Sequence, residues 1–348
     1  MATKSRWLWF RRLLIVIGLV GLAVVFLWPT NYYLESPGSA EDVSQFVKVD
    51  HQHAKTKGKF LLTTVQIQQA TPIQLLIGHF RSFTDIYSKQ ELMGSASSAA
   101  YDRLQQYYIE NSENTAIAQA AKRAKVPYQW HFIGVYVLDV LQQSSFQHKL
   151  QLGDTVSQVN GQKFTNTANF QKYVRHLKLG QKVSLTYTRN KKTHHAIGRL
   201  IRLPDTKRPG LGITLTDHTQ IKTKRSIRVD AGAIGGPSAG LMFTLQIYDQ
   251  LSQQHLLRGR TIAGTGTIST DGQVGPIGGI DKKVVAASKM GATVFFAPDD
   301  QLTKKERHAM PHYQNNYMIA KKAAQKIHTK MKIIPVRNLN DAIHYLEK

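Results

Sequence analysis

Residues 232–246 read GAIGGPSAGLMFTLQ. Glycines and a proline come directly before a lone serine, Ser238, and an apolar run comes immediately after it. Glycine weakens regular structure unless the backbone needs unusual dihedrals or a close approach, so this loop is built for one of those purposes. The spacing predicts a helix over 238–253 that starts at the serine. Ser238 then has two readings. It is the N-cap of that helix, or it is a nucleophile at a helix N-terminus, where unpaired N–H groups suit a developing oxyanion. The hexapeptide alone does not choose between them.

A serine nucleophile needs a base. The chain has 14 histidines, and none sits in a glycine-rich or apolar setting. His51 and His53, like His194 and His195, lie in polar stretches and read as solvated. His308 and His312 fall in KKERHAMPHY, residues 304–313, which reads as exposed helix. Lysine has one special location. Residues 275–287, GPIGGIDKKVVAA, form a second glycine-rich turn that runs into a helix expected over 281–290 and ended by Gly291. Lys283, Ala287 and Met290 share a face of that helix. A lysine on an apolar face loses hydration, its pKa falls, and it becomes a neutral base near pH 7. The alternative is an ordinary solvated pair, Lys282 and Lys283, and periodicity does not choose between the two lysines.

The remaining composition narrows the class. The 348 residues carry 46 Lys and Arg against 22 Asp and Glu, a formal charge of +24, and no cysteine. Disulfides, thiolate metal sites and a cysteine nucleophile are therefore excluded, and neither a metal nor a cofactor is expected. The basic balance fits an anionic membrane or wall polymer. No basic helix with base-reading residues and no nucleic-acid motif is present, so nucleic acid is not an expected partner. Residues 13–28, LLIVIGLVGLAVVFLW, contain no charge. As a helix they span about 24 Å, close to a hydrocarbon core of about 30 Å. Lys4, Arg6, Arg11 and Arg12 lie on the N-terminal side, and Trp7, Trp9, Trp28, Tyr32 and Tyr33 suit the two interfaces. That pattern predicts an uncleaved single-pass anchor, with the N-terminus cytoplasmic and the bulk of the chain outside. A cleaved signal peptide is the alternative, but FLWPTNYYLES offers no small-residue cleavage site.

Along the chain, strands are expected over 59–67, 131–140, 155–159, 182–188, 226–229, 292–297 and 333–336. Helices are expected over 95–125, 166–178, 321–331 and 339–346, with tight turns at 152–154 and at Asn160-Gly161. Residues 261–266 (TIAGTG) read as strand into turn, and residues 298–300 as a turn. Residues 126–204 make a compact β-rich module, and 206–210 (TKRPG) a polar linker. The order of elements after the linker implies an α/β or α+β domain.

GGPSAG, then TGTISTDGQVGPIGG, then IDKKVVAA, in this order and at these distances, resemble the proteolytic domain of Lon. The closest likeness is to the membrane-anchored, ATP-independent Lon-like serine proteases of Gram-positive bacteria that carry a PDZ domain. It extends from ESPGSAEDV near the start to NLNDAIHYL near the end. The resemblance implies an α+β chain of five parts: a basic cytoplasmic segment (1–12), a transmembrane anchor (13–29), the first part of a Lon-like domain with a mixed sheet (36–125), a PDZ-like module inserted into it (126–204), and the catalytic part (205–348). It implies a Ser–Lys dyad, with Ser238 as nucleophile and Lys283, the second lysine of DKK, as base. Thr265 would orient that lysine, and Gly235 and Gly236 would shape the oxyanion loop. Gly235 and Thr267 stand where ATP-driven Lon often has Asp and Glu, so the resemblance supplies no acidic helper at those positions; Asp230 is a candidate for that role or a surface and capping residue. The module resembles a bacterial PDZ domain, in which Gly134, Val135, Tyr136 and Val137 would form the edge of a peptide groove; plain core packing gives the same alternation.

The chain has no GxxxxGK[ST] phosphate loop, so the expected substrates are peptides, tails or membrane-protein segments that are already accessible. Lon-type domains commonly assemble into rings, so a homo-oligomer is among the expectations. Two other readings remain. Residues 236–240 also satisfy the G-x-S-x-G of esterases, which would need a histidine. An inert Lon-like domain would leave a PDZ scaffold.

Overall fold

The computed structural model describes residues 2–54, 56–94, 96–300, 308 and 314–348. The chain opens with a helix, Ala2–Leu27, whose stretch Trp9–Leu27 has a mean hydropathy of 2.4 and no residue buried against the rest of the protein. That helix is long and apolar enough to cross a bilayer; a signal sequence near an N-terminus has the same character.

Beyond that helix, a mixed six-stranded sheet organises the chain. Its order is Lys332–Val336, Val294–Pro298, Thr261–Gly264, Lys59–Gln69, Tyr32–Asp42 and Asp85–Ser88. The first four strands are parallel, and the last two pair antiparallel. Side chains alternate between the two faces with the period-two rule of a strand. Phe60, Leu62, Ile262, Val294 and Phe296 pack under the helices Ser98–Arg123, Gly240–Ser252 and Leu339–Glu347. Leu61, Ala263, Phe295 and Ala297 pack under the helices Ile280–Lys289 and Asn316–Lys326. Full burial of such a side chain stabilises by about 1.5–3 kcal/mol, so the two-faced strands hold the domain together.

Three strands of this sheet precede the β-rich module and three come after it, so the module is inserted into the domain. It has its own antiparallel sheet, in the order Ile213–Thr223, Tyr128–Val140, Thr155–Val159, Lys182–Arg189, Lys192–Arg199, and a separate core around Val135, Phe146, Phe170 and Leu185. The chain enters and leaves the module on two adjacent strands, with Tyr128 opposite Thr223. Neighbouring entry and exit is the geometric condition for an insertion.

Several elements differ from the sequence reading. The strands Tyr32–Asp42, Lys192–Arg199 and Ile213–Thr223 were not expected. Their polar residues hide them: the first is interrupted by a bulge between Pro37 and Ala40, and the other two are sheet edges with a solvated side. Ile213–Thr223 lies beyond residue 204 yet pairs along Tyr128–Val140 within the module's sheet. The helix expected over 321–331 is Asn316–Lys326: Asn315 caps it by accepting from the Met318 N–H, and His328 at φ 52° has left the helical region. Met331 instead packs into the core, 6% exposed. The exposed helix expected over residues 304–313 lies outside the described residues except for His308, which is helical and exposed.

Candidate active site

The loop before Ser238 is shaped by Gly236, whose φ of 89° and ψ of 161° belong to a region essentially reserved for glycine. Its N–H donates to the Gln105 carbonyl at 2.9 Å. Pro237–Ala239 then form one 3-10 turn, and the α-helix begins only at Gly240. Ser238 is therefore inside the turn and makes no cap hydrogen bond, which removes the N-cap reading. Its carbonyl is held instead, accepting from the Gly266 N–H at 2.9 Å and from the Thr265 hydroxyl at 3.1 Å. Gly240 lets this turn press against the neighbouring chain, since a Cβ there would lie 2.7 Å from Ile268 Cγ2. The hydroxyl of Ser238 is left half-buried on the wall of a cavity of about 730 Å³.

Lys283 arrives from the opposite face of the sheet. The strand Thr261–Gly264 stops at Gly264, and Lys283 reaches past its end. Its Nζ lies 2.6 Å from Ser238 Oγ and donates to Thr265 Oγ1 at 3.1 Å. Thr265 is fully buried and spends its own proton on the Ser238 carbonyl, so it can only accept from the amine. That arrangement turns the lysine toward the serine. Burial pushes the Lys283 amine down to about 7, with the Glu35 carboxylate opposing the shift.

Lys282, one residue earlier, is also buried, so the solvated-pair reading fails for both lysines. Its Nζ reaches Asp85 at 2.5 Å, Asp281 at 3.3 Å and Glu35 at 3.6 Å. Burial opposes its charge, but the hydrogen bond to Asp85 and the three carboxylates outweigh that and raise its pKa. One lysine of the tandem is thus held as a cation among carboxylates, and the other is desolvated beside two hydroxyls.

Gly235, Gly236, Ser238 and Lys283 share the cavity, with Thr265 behind them. Because its N–H is taken by Gln105, Gly236 shapes the loop without offering a donor. Asp230 is not among the lining residues: it is 63% exposed, accepts from the Gly232 N–H at 3.2 Å and pairs with Arg228 at 3.3 Å. No histidine lines the cavity among the described residues, so the esterase arrangement lacks its base. The groove assigned to Gly134, Val135, Tyr136 and Val137 is corrected. Val135 pairs with Val156 on one side and Asp217 on the other, and Tyr136 with Thr155 and Thr216. A strand paired on both sides has no edge to offer. The module's edge strands are Ile213–Thr223 and Lys192–Arg199. Part of the first is sealed by the long helix, because Asn114 donates to Thr219 O and accepts from Ile221 N while the Tyr107 hydroxyl donates to Asp217 O.

The sequence reading missed Gln105 and Ser112, which secure the loop, and Glu35, which lines the cavity while 8% exposed. Burial raises the Glu35 pKa against the pull of Lys282. A carboxylate in an otherwise apolar strand start is the one signal that could have marked it.

Residues 205–346 match the sequence profile of the Lon protease (S16) C-terminal proteolytic domain, and residues 105–196 that of a PDZ domain. The C-terminal segment is thus similar to the Lon-type proteolytic domain. It is 45% identical over 80 residues to the Lon protease of Metamycoplasma arthritidis, covering 22% of this chain and 9% of that protein. The Lon protease of Heliobacterium modesticaldum is 34% identical over 99 residues, covering 28% and 12%. The matches thus span about a tenth of the length of these curated relatives. Among solved structures, the PDZ domain of an SdrC-like protein from Listeria monocytogenes is 30% identical over 24% of this chain and 88% of that one, with a TM-score of 0.24. The segment that matches the Lon profile contains both Ser238 and Lys283.

Proposed function

We propose that the protein is a membrane-anchored serine endopeptidase that works with a Ser238–Lys283 dyad on extracytoplasmic peptides or accessible protein segments. The observation that carries this is the 2.6 Å separation of Lys283 Nζ and Ser238 Oγ, with the lysine buried and its pKa lowered to about 7. Neutral Lys283 takes the proton of Ser238 as Oγ bonds to the peptide carbonyl carbon. The oxyanion is met by the Ser238 N–H at the mouth of the turn. Lys283 then protonates the leaving amine as the C–N bond breaks. Water adds to the acyl-enzyme, Lys283 takes its proton, and Ser238 leaves with that proton.

The substrate backbone has a template beside the dyad. The strand Lys59–Gln69 pairs with Thr261–Gly264 only as far as Leu62, and beyond that its edge toward the cavity is unpaired among the described residues. An extended peptide added there runs past Ser238. A second extended segment fits the open end of the module's edge strand, residues 213–216, which is the reading offered for PDZ recognition. Anchoring rests on the apolar helix, and the basic residues on its N-terminal side favour an orientation with the catalytic part outside. The chain holds no phosphate loop, in keeping with cleavage that does not draw on ATP.

Ser238→Ala and Lys283→Ala are each expected to abolish cleavage of a fluorogenic peptide while circular dichroism stays unchanged. Turnover surviving in either variant refutes the dyad. Failure of a serine-reactive probe to label Ser238 in the intact protein returns the assignment to an inert scaffold.

A further inference from the structure

Outside the N-terminal helix, large apolar side chains crowd the surface in one short stretch: Leu76 is 61% exposed, Ile77 43% and Phe80 83%. They lie on and just after the helix Pro72–Gly78. Its other side is closely seated, since a Cβ at Gly78 would stand 2.8 Å from Leu34 Cδ2. The fold pins this stretch to the end of the apolar helix. Thr30 donates to the Ala70 carbonyl from its N–H at 2.9 Å and its hydroxyl at 2.6 Å, and Ala70 N–H donates to Tyr32 O at 2.8 Å. The helices Ala2–Leu27 and Pro72–Gly78 approach each other, with Cα atoms within 8 Å. The patch is therefore continuous with Trp28, 65% exposed, and Tyr32, 47% exposed. Residues 70–84 contain no Asp or Glu and carry His79 and Arg81.

We propose that residues 76–80 insert into the headgroup–acyl boundary beside the anchor, giving the catalytic domain a second contact with anionic lipid that sets its tilt. The inference rests on reading the N-terminal helix as an anchor. Exposed aromatic and aliphatic side chains with a basic fringe are what an interfacial segment needs, and the hydrogen bonds to Thr30 and Tyr32 hold this one at the right level. The same contact limits how far the cleft can stand from the lipid. Val65 lines the cavity and lies five residues before Ala70, so at about 3.3 Å per residue the cleft is no more than roughly 17 Å along the strand from that boundary.

The absence of cysteine makes single-cysteine labelling direct. Leu76→Cys and Phe80→Cys, with Gly21→Cys inside the anchor and Lys57→Cys at the far end of the strand Lys59–Gln69, are labelled with an environment-sensitive fluorophore. The full chain is then reconstituted into phosphatidylcholine–phosphatidylglycerol vesicles containing brominated lipid, and peptide hydrolysis confirms that each variant is folded. Labels at 21, 76 and 80 are expected to be quenched, and the label at 57 not. Quenching at 21 but not at 76 or 80 leaves the anchor standing and overturns the second contact. No quenching at 21 either sinks the anchor and this proposal with it. Cross-linking through Phe80→Cys between copies, without lipid quenching, assigns the patch to a second copy and overturns the proposal as well.

Discussion

Lys282 and Lys283 are the same residue type, adjacent on one helix and both buried, yet their surroundings drive their protons in opposite directions. Contact with Asp85, Asp281 and Glu35 keeps Lys282 charged. Among the described residues Lys283 has no direct carboxylate partner, and it is left to the effect of burial. If Lys283 is the base, kcat/KM for a peptide rises with pH through an acid limb near 7, because only the neutral amine accepts the serine proton. Glu35 favours the charged amine, so Glu35→Gln is expected to move that limb to lower pH; a limb that stays put or moves up contradicts the assignment. The same shift has a stability sign. Between about 7 and the unfolded value of about 10.4 the unfolded chain holds a proton that the native chain has lost, so stability rises with pH across that window. Lys283→Met removes this dependence. It is expected to stabilise the fold at pH 7 by up to roughly 4 kcal/mol while eliminating cleavage, and urea titrations at pH 7 and pH 9 report both effects.

The junctions between elements do the positioning. The 3-10 turn Pro237–Ala239 is set by Gly236, which has a conformation that a side chain strongly disfavours, and by the Gln105 carbonyl that receives its N–H. Gly236→Ala is expected to cost about 1–3 kcal/mol in thermal stability. The turn carries Ser238, so cleavage falls by roughly tenfold to a hundredfold with KM little changed. Unaltered kcat in a destabilised variant shows that the turn does not place the serine. This junction was legible in the residues, because glycines and a proline before an apolar run announce a special turn. The strand Tyr32–Asp42 was not: its sequence, YYLESPGSAED, carries glycine, proline and acids, and only pairing on both edges makes it a strand. The peptide groove was misplaced for a related reason. The alternation of Val135 and Val137 reports a buried face, whereas availability for an added strand depends on what lies on either side in the sheet.

The whole molecule is a sheet domain interrupted by a module with a separate core. The two meet along the long helix Ser98–Arg123, where Tyr107 stacks on Tyr136 with ring centroids 4.1 Å apart. Separate cores predict separable damage. Leu185→Ala, deep in the module, is expected to destabilise the module by about 2–5 kcal/mol, read as an early thermal transition, while hydrolysis of a short peptide at the dyad persists. Loss of both together means that the module and the sheet domain form one cooperative unit.

By itself the sequence determined the apolar N-terminal helix, the α+β class, the two glycine-rich turns and the residue types standing at them, because backbone dihedrals and burial periodicity are local properties written within a few residues. Tertiary structure alone brought a serine and a lysine 45 positions apart within 2.6 Å. It also separated the two lysines and chose which strands are edges. Desolvation and charge pairing depend on side chains such as Glu35 and Asp85, some two hundred positions away or more, which reach Lys282 only once the sheet has formed.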